Sequence, residues 1–249
     1  MAISENAKLK LIEYAERYES VEFLHGDPSW FMHQVSGKDN CEAMAFLASC
    51  LSYGNRRQFM PKIQLLYEWS GGRVAEWVRT GKFAEQLPLN STKCFYRLFS
   101  TDKMHTFLQA YRKMLNEYGS MGDYVRSTSI DALSAIESIC RYFSLHGISV
   151  IVPKDTQSAC KRVCLFLRWM ARSNSPVDLG LWADFIDRRT LIMPLDTHVL
   201  KQSRNFGLIE GTSATMSMAK KLTASLTEVF PEDPLKGDFA LFGFGVNIK

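Results

Sequence analysis

The sequence predicts an all-α protein, and three observations carry that prediction. Apolar residues recur at helical spacing in several long segments. Gly, Pro, Ser and Asn clusters separate those segments, and no stretch sustains the alternation of a strand. Residues 158–172 make the sharpest case: at about 100° per residue, Ala159, Val163, Phe166, Leu167 and Met170 share one apolar face. Lys161, Arg168 and Arg172 fall opposite them. The segment reads as a helix with a core side and a basic side.

The other elements follow in order. Residues 5–18 read as an amphipathic helix with Leu9, Ile12 and Ala15 turned inward. After a loop carrying Gly26 and Gly37, Asp39 and Glu42 have the spacing of a capping box. The helix they open, 41–53, is apolar or small at nearly every position, which predicts burial all round and a central place in the core. Gly54 interrupts it, and Asn55, Arg56, Arg57 and Gln58 start a helix reaching residue 69. A basic cluster on so firmly anchored a backbone suits contact with phosphate, although a solvated helix start has the same composition. Helices are expected at 74–79, 101–118 and 131–146. The run Ile148-Ser149-Val150-Ile151-Val152 is the one strand-like stretch; lacking a partner, it reads as an extended approach to Pro153.

A loop-rich piece with Gly180, Trp182 and the charged run 184–189 follows the basic helix. Pro194 can occupy the first turn of the next helix, with Asp196 near the exposed N–H groups at its start and Gly207 as a stop. A last amphipathic helix covers 213–230, and Asp233-Pro234 looks like the cap and first turn leading into Asp238-Phe239-Ala240-Leu241-Phe242.

Composition narrows the function classes. With 249 residues, 46% of them hydrophobic, the chain can fill the interior of one large domain or of two lobes sharing a core. Charges among the first 17 residues argue against a secretory signal, and no run nears the roughly 18 apolar residues of a membrane span. A cytoplasmic protein with no membrane partner is expected. The six cysteines contain no Cys-x-x-Cys pair and read as reduced, mostly buried thiols. Cys160 and Cys164 could share a metal from one helix, but no second Cys or His pair has zinc-site spacing. Neither metal nor cofactor is expected, and His198, one of five dispersed histidines, reads as structural. The net charge of +4 says little, but residues 154–204 carry nine Lys and Arg against five Asp.

Basic helix, loop and then Pro194-Leu195-Asp196-Thr197-His198-Val199 together resemble the helix-hairpin-helix base-excision DNA glycosylase superfamily, in which a Val-Asp-Thr-His-Val type motif follows the hairpin. The resemblance extends over most of the chain. The stretch from Phe46 to Arg56 and the closing Asp238-Phe239-Ala240-Leu241-Phe242 are similar to an uncharacterised bacterial family attached to that superfamily. A two-lobed, glycosylase-like helical fold is implied, with a helical lobe at 36–147, a hairpin and catalytic-aspartate segment at 148–212, and 1–35 with 213–249 as the second lobe. Val152-Pro153-Lys154-Asp155-Thr156-Gln157 stands where the superfamily has Leu-Pro-Gly-Val-Gly, so the expected hairpin is degenerate. The long interval from Lys161 to Asp196 looks more like the archaeal 8-oxoguanine glycosylase branch than endonuclease III, whose Cys-rich iron–sulfur tail is absent here.

By that resemblance Asp196 is the catalytic carboxylate, Lys161 the lyase nucleophile and Asp238 a base-pocket residue. Asn55, Arg56, Arg57, Lys154, Arg168 and Arg172 are the candidate DNA contacts. The chemistry ties these residue types together. Base removal begins by flipping the nucleotide from the stack, at a cost of roughly a few kcal/mol, and the sugar gains oxocarbenium character as the base departs. A carboxylate beside C1′ stabilises that charge, and a neutral Lys amine can attack C1′ to form a Schiff base. Without the Lys, Asp196 would activate water. The expected partner is duplex DNA with a damaged or abasic nucleotide, an oxidised purine first, bound by a monomer. Two other readings stay open: a DNA-structure-binding protein that keeps the fold without the chemistry, and a scaffold with no nucleic-acid role. An Asp in a first turn is commonly only a cap, and a Lys on a polar helix face is commonly only solvated.

Overall fold

The computed structural model describes residues 3–247, which are predominantly helical. In chain order the helices are α1 (Glu5–Tyr18), α2 (Lys38–Leu51), α3 (Arg56–Ser70) and α4 (Val74–Thr80). The antiparallel strands β1 (Cys94–Tyr96) and β2 (Phe99–Ser100) precede α5 (Thr101–Tyr118), α6 (Met121–Thr128) and α7 (Ala132–Leu145). Last come α8 (Lys161–Ala171), α9 (Thr197–Asn205), α10 (Met216–Thr227) and α11 (Lys236–Asn247). Short 3-10 helices cover Val21–Leu24, Pro28–His33, Lys82–Glu85 and Arg188–Thr190.

The chain divides into a terminal unit, Met1–His25 with Ile130–Ile136 and Thr156–Lys249, and a central unit, Gly26–Ser129 with Glu137–Asp155. These boundaries differ from those expected. Residues 26–35 go with the central unit because Phe31 and Met32 bury their side chains and their 3-10 helix packs on α2. Residues 156–212 join the two termini rather than forming a segment of their own.

In the central unit α2 is buried from Glu42 to Leu51, because almost every one of its side chains is small or apolar. The Phe46 ring lies 5.7, 5.0 and 5.3 Å from the rings of Phe107, Tyr111 and Phe143. Burying one such ring contributes about 1.5–3 kcal/mol. The capping box does not form. Gly37 is the N-cap of α2, and Glu42 instead accepts from Met121 N at 2.8 Å and Gly122 N at 3.0 Å, capping α6. The hairpin β1–β2 was not expected, since strands of three and two residues are too short for alternation to register.

In the terminal unit α1 lies along α11, and α11 along α9. The buried stripe of α1 is Ala7, Leu11 and Ala15, while Leu9 and Ile12 are 60% and 38% exposed. Residues four apart stack on one face, and Leu9 points about 200° away from that stripe. Back in the central unit, residues 148–152 form no strand; from 150 to 157 the chain runs in turns and bends, and Ile148, Ile151 and Val152 turn inward.

Candidate functional site

Lys161 and Asp196 meet in the terminal unit because each stands at the start of a helix. Lys161 is the first residue of α8, directly after Cys160, whose φ of 46° gives the chain a left-handed turn there. Asp196 is the N-cap of α9: its Oδ1 accepts from His198 N at 2.9 Å and Val199 N at 2.8 Å. The other oxygen, Oδ2, lies 3.0 Å from Lys161 Nζ. One carboxylate oxygen is thereby fixed by the helix end and the other is left to the amine. Both side chains remain reachable, at 32% exposure for Lys161 and 23% for Asp196. Burial pushes the Asp196 carboxyl up, but the Lys161 charge and the Val199 and His198 N–H groups outweigh it and hold the carboxyl below the usual range.

His198 follows in the first turn. Its ring meets Phe242 edge-on at 6.0 Å, and its Nε2 is buried with no hydrogen-bond partner among the described residues. A Cβ on Gly245 would overlap that ring, so α11 approaches α9 closely only because residue 245 is glycine.

Further along α8, the expected basic face proves to be buried. Arg168 and Arg172 are 2% and 1% exposed. Arg168 pairs with Asp178 at 3.2 Å and, in a short contact, with Asp238. Arg172 holds Asp233 through two nitrogens, at 2.9 and 2.7 Å, together with Glu19 at 2.8 Å and Asp178. The Phe239 ring faces both guanidinium groups, at 4.5 and 5.2 Å. Burial pushes Asp178 and Asp238 above the usual carboxylate range despite their arginine partners, and the Asp196 charge adds to the effect on Asp238. For Arg172, burial works against the charged form, but Asp233, Asp178 and Glu19 more than reverse it.

Three expectations change as a result. Arg168 and Arg172 cannot serve as surface contacts to a polyanion, because their guanidinium groups are committed to buried carboxylates. Asp238 does not line an open pocket; it is buried against Arg168. Asp233, expected as a helix cap, turns its carboxylate to Arg172. Sequence reading missed Glu19, Asp178 and Asp233 as partners, and the only available signal was an arginine pair on a helix otherwise headed for the core.

The remaining predicted contacts sit at the surface of the central unit. Asn55 caps α3 by accepting from Arg57 N, Arg57 is exposed, and Arg56 lies 3.3 Å from Asp27. Lys154 is exposed in the turns before α8. In the terminal unit Lys201 and Arg204 stay exposed on α9 and, with Lys221 of α10, line a groove of about 930 Å³. No helix among the described residues is long and apolar enough to cross a membrane.

A helical chain carrying a cap-anchored Asp–Lys pair is what fold and site define. Residues 27–247 match the family model described as a protein of unknown function (DUF2400), and the chain belongs to that family. No curated protein and no solved structure matches it.

Proposed function

We propose that the protein is a DNA N-glycosylase with associated strand-nicking activity, acting on a damaged base, with an oxidised purine as the first candidate. The carrying observation is the 3.0 Å approach of Lys161 Nζ to Asp196 Oδ2 at two helix starts, with Asp196 ionised and anchored. A carboxyl held below its usual range is a poor general base near neutral pH but a good fixed negative charge. Asp196 therefore stabilises the positive charge that develops at C1′. Lys161, once its ammonium has lost a proton to solvent, attacks C1′; the C1′–N bond breaks and its electron pair leaves with the base, which is protonated. Opening of the sugar ring, with O4′ taking a proton from solvent, gives the Schiff base; loss of a C2′ proton to solvent then drives β-elimination, which expels the 3′ phosphate. In this reading the turns between α7 and α8 are a degenerate helix-hairpin-helix, and the protein acts as a cytoplasmic monomer.

A second reading keeps DNA binding without chemistry. It is favoured by the capping role of Asp196, which is sufficient reason for an Asp at that position. Base release from duplexes carrying 8-oxoguanine or uracil, compared between the natural protein and Asp196→Asn, separates the two. The enzymatic reading expects release to fall by about 100-fold or more, the scale of losing one electrostatic stabiliser. Equal release from both proteins contradicts the role given to Asp196, and no release from either over a wider lesion set with DNA binding retained favours the binding module.

A further inference from the structure

The groove of about 930 Å³ in the terminal unit is built by the last turns of α9, the chain that follows it and α10. Its rim is basic. Lys201 and Arg204 line it from α9 and Lys221 from α10, against one acid, Glu210. All three cations are exposed, and no carboxylate among the described residues pairs with them. The floor is apolar: Leu208 and Ile209 are 6% and 8% exposed, and Met218 and Ala224 complete it.

Surface cations are ordinarily solvated without purpose. Here the backbone beside them is also unused. Residues 209–212 run without helix, turn or bend and take part in no backbone hydrogen bond among the described residues. Both ends of that run are fixed. Before it, Leu208 N donates to Ser203 O at 2.9 Å, and the Ser225 hydroxyl donates to Leu208 O at 2.9 Å. After it, Thr215 forms an antiparallel bridge with Ser158 and caps α10. Proteins ordinarily pair, cover or blunt such an edge. Four residues of it span about 13 Å, enough for a short strand to pair. The floor is adaptable as well: a Cβ on Gly211 would overlap the end of the Met218 side chain, so the thioether lies directly on the glycine.

We propose that this groove binds an extended acidic peptide segment of a partner protein. The peptide backbone pairs with residues 209–212, its alternate apolar side chains rest on Leu208, Met218 and Ala224, and its carboxylates meet Lys201, Arg204 and Lys221. A nucleic-acid strand would answer the cations but leave the apolar floor and the backbone edge without partners. Neither Lys161 nor Asp196 lines the groove, so docking here is separate from the chemistry proposed for that pair.

The test measures fluorescence anisotropy of labelled ten-residue peptides, alternating Asp or Glu with Leu, Ile or Phe, titrated with the full chain. Saturable binding is expected. Replacing the apolar residues by Ser, or the acids by Lys, should weaken it by about tenfold or more. Methylating alternate backbone nitrogens should abolish binding in one frame and spare it in the other, because only every second N–H of a paired strand faces the edge. Arg204→Glu with Lys221→Glu should weaken binding by about tenfold or more, with circular dichroism and borohydride trapping on abasic duplex unchanged. No saturable binding of the acidic set overturns the proposal. So does equal binding of the Ser set or of both methylated frames, which would mean diffuse charge attraction. Loss of duplex binding in the double variant without any peptide binding would assign the cations to nucleic acid instead. Trapping judges the glycosylase reading separately from all of these results.

Discussion

Two sets of charges stand about two turns apart on the same helix, α8, and they have opposite fates. At its start one lysine faces one carboxylate, both within reach of solvent, with each Asp196 oxygen assigned to a different task. Farther on, two arginines are sealed among Glu19, Asp178, Asp233 and Asp238, where fork-shaped donors meet several acids at once. The residue types suit those fates. A guanidinium keeps its charge when buried and binds in two places, whereas an ammonium on a flexible stem can change protonation and react. The start of α8 suits chemistry, and its remainder holds α1, α8, the 178 loop and the approach to α11 together. Position along the helix separates solvent-reachable from buried charge.

The largest expected effect lies in the buried set. Arg172→Ala removes the guanidinium that holds Glu19 and Asp233 and leaves Asp178 with Arg168 alone, and breaking such a buried pair costs about 3–5 kcal/mol. Denaturant unfolding should show that loss, or a failure to accumulate folded protein; a change below about 1 kcal/mol would place the cluster outside the stabilising core. Next comes Gly245→Ala, whose Cβ overlaps the His198 ring; overpacking should cost about 1–3 kcal/mol in the same assay. Neutral stability there would mean α11 stands farther from α9 than described.

The pH dependence sharpens the contrast, because the two sites carry shifts of opposite sign. Asp196 is depressed in the folded state, so its contribution is present above the ordinary carboxylate pKa and fades as pH falls through the folded value. Asp238 is raised, so its contribution is complete below the ordinary pKa and declines as pH rises through the folded value. Stability of the natural protein minus that of Asp196→Asn should therefore grow with pH across the acid range. The same difference for Asp238→Asn should shrink, each with a slope of at most about 1.4 kcal/mol per pH unit. Parallel slopes would remove the distinction. The smallest effect is expected for Asp196→Asn on stability near neutral pH. Asn caps a helix about as well as Asp, and Lys161 is exposed enough for water to replace its partner, so the loss should stay below about 1 kcal/mol.

Legibility in the sequence followed the range of the interactions involved. Helices showed wherever period and punctuation agreed, as at residues 5–18 and 101–118, and the buried all-round character of α2 was visible in its composition. Lys161 and Asp196 could be paired from motif order, although their 3.0 Å contact depends on the fold. Facing was harder. Leu9 and Ile12 are apolar on a helix whose stripe is set by tertiary packing, and Arg168 and Arg172 look solvated until acids from distant segments are brought against them. Glu42 misled for the same reason: its spacing to Asp39 is local, whereas the N–H groups it serves belong to α6.

The most direct measurement is borohydride trapping on duplexes carrying 8-oxoguanine, uracil or an abasic site. Reduction converts a Schiff base between Lys161 Nζ and C1′ into a stable secondary amine. A covalent protein–DNA adduct is expected with the natural protein, and it should vanish in Lys161→Ala. An adduct that survives Lys161→Ala, or base release that depends on Asp196 without any adduct, would contradict the assignment of Lys161 as the nucleophile.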